Sequence, residues 1–143
     1  MARYRTTVSS KWDVATAFRY MSDFSNSAIW DPGVASARTV SAGDIGLGTK
    51  FDLVTTFNGR SLPLNYEITA FDPPRRVVLR AQSATVISID EVTFSATATG
   101  TDVTYDALLK TRGAFRLAAP IIALMFKGIG DRAKAGLQRE LNV

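Results

Sequence analysis

The stretch of sequence that decides the fold is FDLVTTFNGRSLPLNYEITAFDPPRRVVLRAQ, which occupies residues 51–82. Apolar and polar side chains alternate along most of it, and two turn signals, Asn58-Gly59 and Asp72-Pro73-Pro74, divide it into three runs. Alternation with a period of two is typical of a β-strand that has one buried face. Asn-Gly is a strong hairpin signal, because a type I′ turn needs a positive φ at both central residues. The stretch therefore predicts three consecutive antiparallel strands.

The same pattern continues on both sides of this stretch. From Val34 to Thr111, runs rich in Thr and Val are interrupted by further turn signals at Gly43–Gly48, Gln82–Ala84 and Thr99-Gly100. These runs predict a meander of about six strands. Arg3–Ser9 alternates in the same way and predicts a strand that opens the fold.

The predicted hairpins can be tested against one another, because residues that face each other across an antiparallel pair lie on the same side of the sheet. With Phe51 pointing inward, the expected pairs are Phe57 with Leu62, Leu53 with Tyr66, Tyr66 with Ala81, Ile68 with Leu79, Leu79 with Ser88, Val77 with Asp90, Phe94 with Tyr105 and Val92 with Ala107. One inner face then carries mostly apolar side chains through four hairpins. Charged residues such as Asp52, Glu67 and Glu91 fall on the other face, as a sheet wetted on one side requires.

Two short helices are predicted after the first strand. Ser10 followed by Asp13 is typical of a helix N-cap with an acid in the first turn, and the helix is expected to run to about Asp23. A second helix is predicted for Phe24–Trp30, and Asp31-Pro32-Gly33 ends it, since proline disfavours helical geometry in the residue before it.

The longest helix is expected from Pro120 to about Leu141. One side of it is polar, and the other is predicted to pack on the sheet. The residues of the packing side are Ile122, Met125, Ile129, Ala133 and Gly136. Gly128, Gly130 and Gly136 each weaken such a helix by about 1 kcal/mol relative to Ala. Two interpretations remain open: the glycines allow close packing, or they leave space for a ligand.

The composition excludes most familiar hydrolytic chemistries. The chain has 143 residues, 46% hydrophobic and 21% charged, which is typical of one globular domain over residues 1–143. It has no Cys and no His, so disulfides, thiol nucleophiles, Cys/His zinc sites and Ser-His-Asp triads are excluded. No metal site and no cofactor are predicted. Catalysis without an added cofactor would depend on carboxylates, Tyr, Lys or Arg.

Charge and hydropathy predict a cytoplasmic protein. The net charge of +4 comes from scattered bases, which is too weak a pattern to predict nucleic-acid binding. The longest apolar run, Leu117–Phe126, is shorter than the roughly 20 residues of a membrane span, so no stable membrane insertion is expected. The N-terminus lacks the apolar stretch of a secretory signal. The oligomeric state does not follow from any of these features.

In its order of elements and in several motifs, the sequence resembles the START-like, Bet v 1-like (SRPBCC) superfamily, and within it the bacterial polyketide cyclase/dehydrase and lipid-transport group. The matching segments span nearly the whole chain and are Trp12-Asp13-Val14 with Phe18, Trp30–Val34, Gly46–Phe51, Tyr66–Val78, Thr101–Tyr105 and Gly136-Leu137. The resemblance implies an α+β helix-grip fold. In this fold a curved antiparallel sheet of about seven strands wraps around the long C-terminal helix, with two short helices after the first strand.

The resemblance also implies a mostly apolar cavity between the sheet and the C-terminal helix, which takes a hydrophobic molecule such as a lipid or a polyketide. The inner face and the packing side of the helix supply the expected lining, which is Trp30, Phe51, Leu53, Thr55, Phe57, Tyr66, Ile68, Leu79, Ser88, Asp90, Val92, Phe94, Tyr105, Ile122, Met125 and Ile129. A few polar groups in an apolar lining are typical of a small-molecule site.

Asp90 is the most unusual residue of this set, because a carboxylate among apolar neighbours must be paired, hydrogen-bonded or protonated. Burial would raise its pKa, so that it could act as a general acid or base, with Tyr66 or Tyr105 as a partner. The alternative is a structural role at a strand end. Two function classes therefore stay open: a carrier or sensor of a hydrophobic small molecule, and a polyketide cyclase, aromatase or dehydratase.

Overall fold

The centre of the protein is a curled antiparallel sheet of seven strands, and the computed structural model describes residues 1–143. The strands lie in the order β1-β7-β6-β5-β4-β3-β2, so only the first strand leaves its place in the chain order, to pair with the last. The strand bounds are β1 Ala2–Ser10, β2 Val34–Thr39, β3 Lys50–Phe57, β4 Arg60–Asp72, β5 Arg76–Gln82, β6 Val86–Thr97 and β7 Gly100–Thr111. The predicted meander and opening strand are confirmed.

Three α-helices and two 3₁₀ turns cover the concave face and the ends of the sheet. Their bounds are α1 Val14–Ser22, a 3₁₀ turn at Phe24–Asn26, α2 Ser27–Trp30, a 3₁₀ turn at Gly113–Ala118 and α3 Ala119–Glu140. The N-cap of α1 is Asp13, whose side chain accepts a hydrogen bond from the backbone N–H of Thr16. The expectation that Ser10 caps this helix is wrong. Ser10 ends β1, and its hydroxyl donates to the carbonyl of Leu141, which ties down the C-terminus.

The register differs from the predicted one by two residues in three of the four hairpins. Phe57 pairs with Arg60, because Asn58 and Gly59 form a two-residue turn with φ of 51° and 75°. Similarly, Leu79 pairs with Asp90 and not with Ser88. In the last hairpin Val92, not Phe94, faces Tyr105. A shift of two keeps every side chain on its predicted face, since the period of a strand is two.

One end of the concave face is filled with aromatic and aliphatic side chains. Phe18 of α1 packs on Phe94 with ring centroids 5.3 Å apart. Phe24 packs on Phe51 and on Tyr66, at 6.3 and 4.9 Å. This region is here called the packed end, and its members on the sheet are Val8, Phe51, Leu53, Ile68, Leu79, Val92, Phe94 and Val103. The other end of the sheet is covered by α3.

The C-terminal helix approaches the rest of the fold closely at two glycines. A Cβ atom at Gly136 would overlap the carbonyl oxygen of Trp30, and one at Gly130 would overlap the ring of Tyr4. Gly128 has no such neighbour, because its nearest atom is the guanidinium of Arg132 at 3.5 Å. Close packing therefore explains two of the three glycines.

The first half of α3 exposes two large apolar side chains, Ile121 and Leu124, whereas the second half exposes none. Ile122, Gly136 and Leu137 are its buried residues. The helical segment Gly113–Glu140 is, by length and composition alone, long and apolar enough to cross a membrane, although core helices of soluble proteins pass the same test. It is longer than the apolar run Leu117–Phe126, since the helix continues through Lys127 and the glycines. Of the 18 consecutive residues with the highest mean hydropathy in this segment, only 11% are buried.

Candidate ligand-binding site

A cavity of about 150 Å³ lies between α3 and the end of the sheet opposite the packed end, and this region is here called the cavity end. Its wall consists of 22 residues, of which 13 are hydrophobic. The wall residues are Tyr4, Thr6, Trp30, Asp31, Gly33, Thr55, Thr56, Phe57, Leu62, Leu64, Tyr66, Ser88, Asp90, Tyr105, Ala107, Leu109, Phe126, Ile129, Gly130, Ala133, Lys134 and Leu137. An apolar cavity of this size takes a molecule of about the size of benzene or somewhat larger.

Four polar side chains on the sheet meet in the wall and bond to one another. The hydroxyl of Tyr105 donates to Asp90 Oδ2 at 2.6 Å, and Ser88 donates to Asp90 Oδ1 at 3.5 Å. The hydroxyls of Tyr66 and Ser88 share a hydrogen bond of 2.7 Å. All four residues are buried, with 5–8% of their surface exposed. They are called the polar cluster below, and together they give the apolar cavity one polar side.

Burial is the main influence on the titration of this cluster. It raises the pKa of Asp90 to about 7, against the lowering effect of the hydrogen bond from Tyr105. Burial also raises the pKa of Tyr66 and of Tyr105 well above the ordinary tyrosine value, and the charge of Asp90 adds to both shifts. Near neutral pH, Asp90 is therefore divided between an acid that donates a hydrogen bond and a carboxylate that only accepts.

Trp30 and Asp31 form another part of the wall, where α2 ends. The ring of Trp30 meets the ring of Tyr105 edge to face, with centroids 5.4 Å apart. Asp31 Oδ1 accepts the backbone N–H of Gly33 at 2.8 Å, which shapes the turn that ends the helix. Burial raises the pKa of Asp31. Asp31 and Asp90 are the two carboxylates of the wall, and no group of three or more potential metal ligands occurs in the chain.

The residues predicted to line the cavity fall into two groups. Those in the cavity wall are Trp30, Thr55, Phe57, Tyr66, Ser88, Asp90, Tyr105 and Ile129. Those outside it are Phe51, Leu53, Ile68, Leu79, Val92, Phe94, Ile122 and Met125. The first six of this second group face inward as predicted but lie at the packed end, where α1 and Phe24 cover them. Ile122 is buried away from the wall, and Met125 is half-buried.

Sequence reasoning missed several residues of the wall. Tyr4 and Thr6 belong to β1, which pairs with β7 beside the cavity, but the alternation of the first strand alone does not assign them to the site. Asp31 was treated only as part of a turn. Its position as a charged residue between Trp30 and Pro32 is the signal that could have indicated a place in the site. Phe126 and Lys134 depend on the rotation of α3, for which the sequence has no comparable signal.

The cluster has the groups for hydrogen bonding and for proton transfer but no nucleophile of the thiol or imidazole type. Asp90 can give or take a proton near neutral pH, and Tyr105 holds its position through a short hydrogen bond. Both tyrosine hydroxyls are partnered by side chains of the cluster, not by backbone carbonyls. The arrangement can bind one polar group of an otherwise apolar molecule.

Comparisons with known proteins agree on the fold. The chain matches the family described as polyketide cyclase / dehydrase and lipid transport over residues 1–142. A START superfamily protein from Mycobacterium smegmatis has a TM-score of 0.80 at 12% identity, with 99% of this chain and 97% of that chain covered. The major latex-like protein 151 from Panax ginseng has a TM-score of 0.65 at 10% identity, with 94% and 95% covered.

A second protein from Mycobacterium smegmatis, Ms6760, has a TM-score of 0.66 at 20% identity, with 97% of this chain and 90% of that chain covered. A search of curated proteins found no significant match to the sequence. The structural likenesses show the helix-grip fold of START and Bet v 1-like proteins, as the sequence predicts. Because the family match spans nearly every residue, the chain belongs to the polyketide cyclase / dehydrase and lipid-transport family, whose members bind hydrophobic ligands or act as polyketide cyclases.

Proposed function

We propose that this protein is a single ligand-binding domain over residues 1–143, which carries or senses a hydrophobic small molecule in the cavity beneath α3. The observation that carries the proposal is the division of the cavity wall, where eleven other hydrophobic residues face the buried polar cluster. An apolar wall with a few convergent polar groups is typical of small-molecule sites. A cytoplasmic location, with no nucleic-acid partner, belongs to the same proposal.

The size of the cavity and its polar cluster define the ligand class. A volume of about 150 Å³ suits a compact ring system better than a long acyl chain. Asp90 and the hydroxyls of Tyr66 and Ser88 suit one hydroxyl or carbonyl group on that ring. A ring bearing such an oxygen is also a unit of aromatic polyketides, so the ligand class agrees with the family description.

The test compares naphthol with naphthalene in a fluorescence titration. We expect both to bind, and naphthol to bind about tenfold more tightly, because it gains a buried hydrogen bond at the polar cluster. Ala133→Leu fills part of the cavity and should abolish binding of both probes. Ala135→Leu is the matched control, since it makes the same change on the exposed side of the same helix. Failure of both probes to bind the wild-type protein would contradict the proposal.

The pKa of Asp90, about 7, favours a second candidate function. A polyketide cyclase, aromatase or dehydratase needs a group that takes up and returns a proton near neutral pH, and Asp90 with Tyr105 or Tyr66 has that chemistry. Asp90→Asn keeps the shape and removes the basic carboxylate. If the wild-type protein cyclises a poly-β-ketone mimic and this variant is slower by about a hundredfold at equal ligand affinity, the protein is an enzyme.

A further inference from the structure

The first half of the C-terminal helix carries an apolar strip that faces solvent. Leu117, Ile121 and Leu124 are 88%, 60% and 83% exposed. Their spacing of four and three residues places them along one side of the helical segment. Ile122 and Leu137, by contrast, are almost completely buried on its other side. Soluble proteins rarely leave a row of large apolar side chains in water unless it contacts something.

Within the strip's own segment of the chain, every charged residue is a base. No carboxylate occurs in the 24 residues from Ala107 to Gly130, while Lys110, Arg112, Arg116 and Lys127 all lie within them. Arg116 forms no ion pair, and its Nε donates to the carbonyl of Gly113. Lys127 pairs with Asp131, which lies seven residues after Leu124 and therefore on the same side of the helix as the strip. Arg116, which is next to Leu117 and has no carboxylate partner, therefore gives the start of the strip a positive charge.

We propose that this strip, Leu117, Ile121 and Leu124 with Arg116 beside it, docks on the surface of a membrane that contains anionic lipids. Apolar side chains entering the interface and bases facing the headgroups are the two features that bind peripheral helices to such surfaces. A second copy of the chain is a poorer occupant, because a symmetric contact would bring Arg116 against its own copy.

The helix stays folded on the sheet in this arrangement and does not cross the bilayer. Gly136 is packed against the backbone of Trp30, and Gly130 against the ring of Tyr4, so the second half of α3 has no freedom to leave. The side of α3 opposite the strip supplies Phe126 and Ile129 to the cavity wall. Docking would thus place the cavity one helix diameter from the lipid, a consequence that matters for ligand exchange only if the proposed function holds.

The experiment is co-sedimentation of the protein with vesicles of phosphatidylcholine alone or of phosphatidylcholine with phosphatidylglycerol. We expect binding to the anionic vesicles that weakens as salt is added. The double variant Leu117→Asp/Leu124→Asp should bind at least tenfold more weakly, because two apolar anchors are lost. Arg116→Gln should bind about fivefold more weakly. Leu47→Asp is the matched control and should bind like wild type.

Leu47 suits this role because it is 73% exposed but lies at the far end of the sheet. The backbone N–H of neighbouring Gly48 bonds to Ile68 near the β4–β5 turn, whereas the strip follows the last strand, next to Ala84. Absence of vesicle binding by the wild-type protein overturns the proposal, as does equal binding by the double variant. A wild-type dimer that the double variant converts to a monomer, without vesicle binding, assigns the strip to a second copy and also overturns it. Naphthol binding, measured on the same variants, is independent of docking and reports separately on the cavity.

Discussion

The packed end and the cavity end of the sheet have the same alternating sequence pattern and are nevertheless filled differently. At the packed end, Phe18 on α1 reaches the sheet and meets Phe94. At the cavity end, α3 presents the small side chain of Ala133, and about 150 Å³ between the helix and the sheet stays empty. The comparison teaches that strand alternation determines which side chains face inward, whereas the covering helix determines whether the space between them is filled.

Asp90, the one buried carboxylate, lies at the cavity end. The polar cluster lies in the wall of the cavity, where its members bond to one another. Buried polar groups that lack partners cost about 1–3 kcal/mol each, so a network with internal partners is the arrangement that a cavity end can tolerate. We expect the two ends to respond differently to pH, to truncation and to tighter helix packing.

The largest expected difference is in the pH dependence of stability. Asp90 has a pKa of about 7 in the folded protein, raised from 3.8 by burial, so the folded state holds its proton more tightly than the unfolded state does. The resulting stability is fully present below about pH 4 and is lost as pH rises through about 7, by about 4 kcal/mol in total. Chemical unfolding of wild type and Asp90→Asn across this pH range measures the effect.

The difference between the two proteins isolates Asp90, because the variant keeps Asp31 and every other titrating group. Asp90→Asn should match wild type within about 1 kcal/mol at the acidic limit, where both side chains are neutral, and should exceed it above pH 7. Parallel curves for wild type and variant would show that the pKa of Asp90 is the same in the folded and the unfolded protein, as for a well-solvated carboxylate. The cavity would then contain water.

The next effect contrasts one leucine from each end. Leu79 belongs to the packed end and has no exposed surface, so Leu79→Ala leaves a new void and should cost about 3–4 kcal/mol. Leu64 is also buried but lines the cavity, where part of its surface has no packing partner, so Leu64→Ala should cost about half as much. Urea unfolding of both variants provides the comparison. Equal losses would mean that the cavity is filled in solution.

Much of the candidate site follows from the sequence, and the limit of prediction lies in the helices. Tyr66, Asp90 and Tyr105 were placed on one face by alternation alone, and the register errors of two residues left that face unchanged. Phe51 and Ile68 satisfied the same rule but belong to the packed end. Alternation is a local property of each strand, whereas the reach of α1 and α3 depends on how they dock, which strand patterns do not report.

The smallest effect tests how α3 is held over the cavity end, and it uses two glycines of the same helix. Gly136→Ala should destabilise the protein by about 2 kcal/mol, since the added methyl group overlaps the backbone oxygen of Trp30 and must push the helix outward. Gly128→Ala meets only the guanidinium of Arg132 at 3.5 Å and should stabilise the protein by about 1 kcal/mol through helix propensity. The displaced helix of Gly136→Ala should also enlarge the cavity, so naphthol affinity should change in that variant and not in Gly128→Ala. If both substitutions stabilise, α3 is not anchored at Trp30, and the difference between the two ends of the sheet would have to come from the strands themselves.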